Sequence, residues 1–173
     1  VERIESLDDL VQEFITRDFL WSLPDKEFGI IMSPIAERYV ANLFNSEFGT
    51  KFKIINGRHY DLVDPNMIRH QVKFRKAKGR TPYSQQLYTH NWRQKLQYGA
   101  KDFDIMTFVI CHKNKREPKD WCLSTIPAYK CIDPNNRKKL LKNIPAKLLK
   151  WGQDWKKRFG HYLKTKHKKR VNA

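Results

Sequence analysis

The chain has 173 residues, enough for one domain whose core folds unaided. Lys and Arg number 35 against 18 Asp and Glu, a formal net charge of +17, which favours a polyanionic partner, nucleic acid before an anionic membrane. No apolar run approaches the roughly 20 residues of a membrane-spanning helix and no signal-peptide pattern opens the chain, so a soluble intracellular protein of the cytoplasm or nucleoid is expected, and its start at Val1 rather than Met suits a trimmed or partial chain.

In chain order, Ser6-Leu7-Asp8-Asp9 has the form of a helix start, followed by Leu7, Leu10, Val11 and Phe14 at helical spacing. Trp21 to Phe28, with Pro24, reads as a loop. Ser33-Pro34 predicts a second helix, with Ser33 as N-cap and Pro34 at the first helical position. Its stripe is Ile35, Tyr39, Val40, Leu43 and Phe44, and Gly49 is its C-cap. Three strands are predicted over Lys51–Asn56, Arg58–Val63 and Met67–Phe74, with a tight turn at Gly57. Lys76 to Pro82 reads as a basic loop, and a helix is predicted from Ser84 to Tyr98, stopping at Gly99. The nearly continuous apolar run Asp104–Cys111 predicts a strand covered on both faces, and Trp121–Ile126 another strand.

Cys111, Cys122 and Cys131 form no Cys-x-x-Cys pair. A zinc site drawn from Cys111, His112, Cys122 and Cys131 has none of the standard spacings, so buried, reduced thiols are expected. From Asn135 onward Lys and Arg become dense. Trp151, Trp155, Phe159 and Tyr162 fall near helical spacing and are expected to pack one helix onto the body, with Lys156, Lys157 and Arg158 facing out. The basic end Lys164–Arg170 would bind phosphates without sequence preference. The chain is thus divided into a core of about 33–127, a basic helical extension of about 135–163 and a tail of 164–173, all in one domain.

The chemically richest stretch runs from Arg58 to Phe74. Two short strands flank Asp64-Pro65-Asn66. With those three residues unpaired, Val63 faces Met67 and Asp61 faces Arg69. Side chains alternate along a strand, so Asp61, Arg69, Gln71 and Lys73 would share one face. A carboxylate, an amide oxygen and an ammonium together make a poor core, and a good holder for a divalent metal beside a positioned water. Asp64, followed by Pro65 and Asn66, is better explained as a turn residue.

The trio Asp61, Gln71 and Lys73 resembles the signature of the PD-(D/E)XK nuclease superfamily, the restriction-endonuclease-like fold. That pattern is an acid at the start of one strand, then an acid, one residue and a lysine on the next. Asp61 matches the first acid and Lys73 the lysine. Gln71 stands where the second acid is usual, a variation found in some restriction, homing and transposition nucleases, and Tyr60 precedes Asp61 where the family has Pro. The resemblance spans about Pro34 to Ile126. It implies an α/β fold with a mixed central sheet of about five strands flanked by helices, here with a basic helical C-terminal extension.

The resemblance further implies a Mg²⁺-dependent endonuclease acting on double-stranded DNA, with Mn²⁺ substituting. Small members commonly cut palindromic sites as homodimers, so a type II restriction enzyme leads, with homing or transposition nucleases close behind. Asp61, Gln71, the Val72 carbonyl and Glu37 would hold the metal, with Glu47 as a substitute for Glu37. Lys73 would polarise the attacking water or stabilise the transition state. Gln94 and Tyr98 match a Gln-x-x-x-Tyr element of the RecB-like branch and would share a helix face, within reach of Lys73 or a phosphate. Arg69, Arg75, Lys76, Lys78, Arg80, Lys156, Lys157 and Arg158 are the candidate nucleic-acid contacts, with a second surface at His90, Asn91 and Arg93. The rival expectation is a non-catalytic nucleic-acid-binding protein whose Asp61/Gln71/Lys73 match is accidental.

Overall fold

A computed structural model describes residues 21–55, 57, 59–89 and 97–162. Its first element is a long helix, α1 (Asp25–Phe48). Phe28, Met32, Ala36, Val40 and Phe44 recur every fourth position and are all buried, so the apolar stripe extends upstream of Pro34. That stripe overrides the Ser33-Pro34 start signal: the helix runs through Pro34, and Ser33 Oγ turns back to donate to the Gly29 carbonyl at 2.6 Å. Asp25 and Glu27 in the first turn complement the helix dipole. The far end stops as expected at Gly49, whose φ of 65° places it in the left-handed region. The predicted loop over Trp21 to Phe28 is therefore helical from Asp25. Ahead of it, Lys76 Nζ donates to the carbonyls of Trp21 and Leu23.

The sheet contains β1 (Lys53–Ile54), β2 (Leu62–Val63), β3 (Arg69–Ala77), β5 (Ile105–His112) and β6 (Cys122–Pro127), in the order β1-β2-β3-β5-β6. Only the β3–β5 pair is parallel; the other three pairs are antiparallel. This is an α/β architecture with a mixed five-stranded sheet. β5 is buried along its whole length, as its nearly continuous apolar run predicts. One face packs Val72, Phe74, Ile105 and Val109 against α1. The opposite face packs Met106, Phe108 and Ile110 against Leu87, Tyr98, Leu140 and Leu149.

The stretch predicted as a helix from Ser84 to Tyr98 begins instead with turns and the short strand β4 (Leu87–Tyr88), which pairs with β9 (Asn143–Ile144). Residues 90–96, including Gln94 and the His90–Arg93 surface, lie outside the described residues, as do the predicted Ser6 helix and the tail beyond 162. The C-terminal extension is not one helix. β7 (Ile132–Asp133) and β8 (Asn136–Leu140) form a hairpin, followed by β9, α2 (Ala146–Gly152) and a helical segment over 155–162. That last segment docks on α1 as its aromatic spacing suggests: Phe44 stacks on Trp155 at 5.0 Å and meets Phe159 edge-on at 4.9 Å. No helix among the described residues is long and apolar enough to cross a membrane.

α2 lies hard against β6 at Gly152. A Cβ there would stand 2.4 Å from Ser124 Oγ and 2.9 Å from both the Thr125 carbonyl oxygen and Ile126 Cγ1. Gly152→Ala is expected to destabilise the fold by about 1–3 kcal/mol through overpacking, seen as a lower urea midpoint at unchanged slope. A wild-type midpoint would show that this contact is absent.

Candidate active site

The loop between β2 and β3 is longer than the three-residue turn expected. Asp64 organises it: its N–H donates to the Ile68 carbonyl at 3.1 Å and its carbonyl accepts from Met67 N at 2.7 Å. Its carboxylate takes the N–H groups of Asn66 and Lys51 at 2.8 and 2.9 Å. Five residues, Asp64 to Ile68, are spanned in this way, with Met67 at φ 61°. Asp64 is buried and structural, in keeping with the turn role read from sequence.

The longer loop shifts the register. Leu62 pairs with His70 and Val63 with Arg69, so Asp61 falls opposite Gln71 rather than Arg69. The shift is two residues, and a shift by an even number keeps every side chain on its face. The predicted grouping of Asp61 with Gln71 therefore survives an incorrect register.

β2 is short, and its ladder with β3 ends at the Leu62–His70 pair. The Val72 N–H just beyond needs a partner, and Asp61 Oδ2 accepts it at 2.8 Å. The same oxygen accepts from Gln71 Nε2 at 2.6 Å, and that nitrogen lies 3.3 Å from the Val72 carbonyl oxygen. A side-chain amide thus sits between two oxygens expected to face a cation. Two places along β3, Lys73 Nζ donates to Tyr98 Oη at 2.6 Å. Tyr98 lies outside any described helix, yet its hydroxyl makes the Lys73 contact anticipated for it.

Burial raises the Asp61 carboxyl above its ordinary range, against the pull of the Val72 N–H and Lys73. Glu37, half-buried on α1, is pushed up to about 7 by burial and by the Asp61 charge, with Lys73 opposing. Lys73 is lowered to about 7 by burial and by Arg75, against the attraction of Asp61 and Glu37. Glu37 on α1, Asp61 just ahead of β2 and Lys73 on β3 influence one another electrostatically. Such opposed shifts are characteristic of reactive sites.

Other predicted residues are placed elsewhere. Arg69 shares the face of Gln71 and Lys73 but is tied to Asp104, with Nε at 3.4 Å from Oδ2. Arg75 donates to the carbonyls of Phe74 and Tyr88. Lys76 is not in a basic loop: β3 continues to Ala77, and the Lys76 side chain is only 2 % exposed, so its ammonium cannot face a phosphate. Lys78, at 3.3 Å from Asp25, and Arg80 are exposed and remain available to a polyanion. Glu47 lies at the far end of α1 and pairs with Lys156 at 3.9 Å. Lys157 and Arg158 are exposed on the segment 155–162.

The three cysteines are free thiols, with Cys111 and Cys131 buried in different core layers. Among the described residues no group of three or more His, Cys, Asp or Glu gathers. One neighbour passed over in the sequence is His70, fully buried between Phe44 and Phe52, with Nε2 2.6 Å from Thr107 Oγ1. Burial pushes its pKa to about 3 and keeps it neutral. No protein-family model matches the chain, and comparison with curated proteins returns no match.

The shifts have consequences for stability. Glu37 holds its proton more tightly folded than unfolded, so its contribution falls as pH rises from 4.5 to about 7. Lys73 holds its proton less tightly folded, so its contribution rises with pH from about 7 to 10.5. Urea midpoints across pH should show Glu37→Gln flattening the fall below neutrality and Lys73→Met flattening the rise above it. Profiles parallel to wild type would show these groups unshifted by burial.

Proposed function

We propose that the chain is a Mg²⁺-dependent DNA endonuclease of the restriction-endonuclease-like kind, hydrolysing phosphodiester bonds at the Asp61 cluster. The observation that carries the reading is the convergence of Asp61, Gln71 and the Val72 carbonyl where β2 parts from β3, with Lys73 two residues along. Support comes also from the strand order, from Glu37 within electrostatic reach of Asp61 and Lys73, and from the charge of +17. Site-specific cleavage by a homodimer, restriction-like or as a homing or transposition nuclease, is the finer form of the proposal.

The donor set fits Mg²⁺. That ion binds through one or two carboxylates, keeps several waters and completes its shell with substrate phosphate. Asp61 and Glu37 provide two carboxylates, Val72 a carbonyl, and the Gln71 amide an oxygen once it turns its other end inward. Mg²⁺ bound there would neutralise phosphate charge and make a water more acidic. The chain's own part is distinct. Asp61, locked by the Val72 N–H, fixes where the phosphate approaches. Tyr98 orients the Lys73 amine toward that point. Lys73 would take up the proton that the attacking water gives up.

One observation favours the non-catalytic nucleic-acid-binding rival: Asp61 already has two donors, so the cluster is satisfied as it stands. Incubation of the protein with plasmid and Mg²⁺ separates the readings, because discrete fragments or a smear mean hydrolysis and intact plasmid means binding alone. Asp61→Asn is expected to reduce cleavage by about 100-fold or more while duplex binding is kept or tightened. Asp64→Asn should lower stability but leave cleavage by the folded protein intact. Cleavage by Asp61→Asn within tenfold of wild type would remove Asp61 from the chemistry.

Gln71 sets the metal requirement. Gln71→Glu adds an anionic ligand and is expected to lower the Mg²⁺ or Mn²⁺ concentration for half-maximal cleavage. Gln71→Ala removes an oxygen and should lose most activity. Equal midpoints and rates for wild type and both variants would show that Gln71 never touches the metal shell.

A further inference from the structure

A cavity of about 500 Å³ opens between the segment 155–162, α2 and the paired ends of β5 and β6. Its size is that of sites that enclose small organic ligands. It is lined by aromatic rings and cations together. Tyr129 stands at its rim 63 % exposed, a large ring left in solvent. Trp151 carries two cations over its ring, Lys130 Nζ at 4.6 Å and Arg158 Cζ at 4.3 Å from the centroid. Tyr162 stacks on Phe159 with 24° between the planes.

The lining carries one net positive charge: among its described residues Lys157 and Arg158 stand against the Asp154 carboxylate, which is 3.9 Å from Arg158. The cavity therefore favours an anion, and its rings favour a flat, π-bearing body. Its inner wall is polar in a defined way. Thr125, 4 % exposed, has its Oγ1 2.8 Å from Thr107 Oγ1, which in turn lies 2.6 Å from His70 Nε2. With the imidazole proton on Nε2, the chain runs from His70 through Thr107 to Thr125 and leaves the Thr125 hydroxyl proton for a further acceptor.

We infer that this cavity is a binding site for one unpaired nucleotide, its base against Tyr129 and its phosphate on Lys157 and Arg158. A base still paired and stacked in duplex cannot enter a concave, ring-lined site of this size, so the ligand is a free mononucleotide or an unstacked nucleotide within a strand. The inference rests on the nucleic-acid half of the proposed function and is independent of cleavage at Asp61.

The test is binding of the full chain in EDTA to three probes: adenosine 5′-monophosphate, a six-nucleotide single-stranded DNA and a blunt DNA duplex. Tyr129→Ala, at an exposed ring, is expected to weaken single-strand binding about tenfold, the order of one lost base stack, with duplex binding unchanged. Lys157→Ala with Arg158→Ala should weaken it more than the loss of Lys113 and Lys115, two exposed charges outside the cavity. Tight binding of the mononucleotide itself identifies a free nucleotide as the ligand, and binding of the oligonucleotide alone identifies a strand. Asp61→Asn should bind single strands like wild type, so a failed cleavage assay and a failed cavity are told apart. Wild-type single-strand affinity in both cavity variants, or equal losses for single strand and duplex, would overturn the site.

Discussion

The Val72 N–H lies where β2 has already left β3, in an interior where an unpaired backbone donor is costly. Asp61 satisfies it, and much else follows from that bond. The carboxylate is pinned to the middle of the sheet, where burial raises its pKa. Pinned there, it draws the Gln71 amide to itself, and that amide lies against the Val72 carbonyl. A strand pair that ends early thus converts a gap in a ladder into a cluster of oxygen atoms. The Asp64 loop secures the same geometry from the other end by holding β1 and β3 to β2 through Lys51 and Ile68.

The two core layers give this cluster its electrostatics. On one side the stripe of α1 packs over Val72 and Phe74, and half-buried Glu37 on that helix lies near enough to feel the Asp61 and Lys73 charges. On the other side the layer around Tyr98 and Phe108 excludes water from Lys73, whose ammonium keeps one strong partner in the Tyr98 hydroxyl. Burial thus raises the Glu37 carboxyl and lowers the Lys73 amine. Lys76 has a different fate on the same strand. It faces α1, is enclosed by Trp21 and Phe28, and holds the segment that leads into the helix. Four residues that look alike in a basic sequence, Arg75, Lys76, Lys78 and Arg80, are separated by strand alternation and by where the strand ends.

The buried strand β5 was legible because the seven residues Ile105 to Cys111, apolar but for Thr107, fit little else. The grouping of Asp61 with Gln71 was legible because strand periodicity is insensitive to an even register shift, so the two met although the turn is longer than its sequence suggests. The start of α1 was misread because Ser33-Pro34 is a strong local signal, while the stripe of Phe28 and Met32 that overrides it acts only through packing against β3. The segment from Ser84 was misread for a similar reason: the bonds that make Leu87–Tyr88 a strand come from β9, far along the chain. The hairpin of β7 and β8 is rich in Lys and Arg, so its sequence carries no apolar alternation to reveal it. His70 was passed over because a lone histidine beside a more conspicuous motif gives no sign of the aromatic cage that buries it.

The Asp61 cluster is proposed to hold a divalent cation beside the Gln71 side chain. Crystals of the chain with a short DNA duplex, soaked in Mn²⁺ and measured at the manganese absorption edge, test it most directly. The account predicts an anomalous peak between Asp61 Oδ2 and the Val72 carbonyl oxygen, with the Gln71 amide turned so that its oxygen faces the peak. No peak there at saturating Mn²⁺, with Gln71 Nε2 still on Asp61, would contradict it.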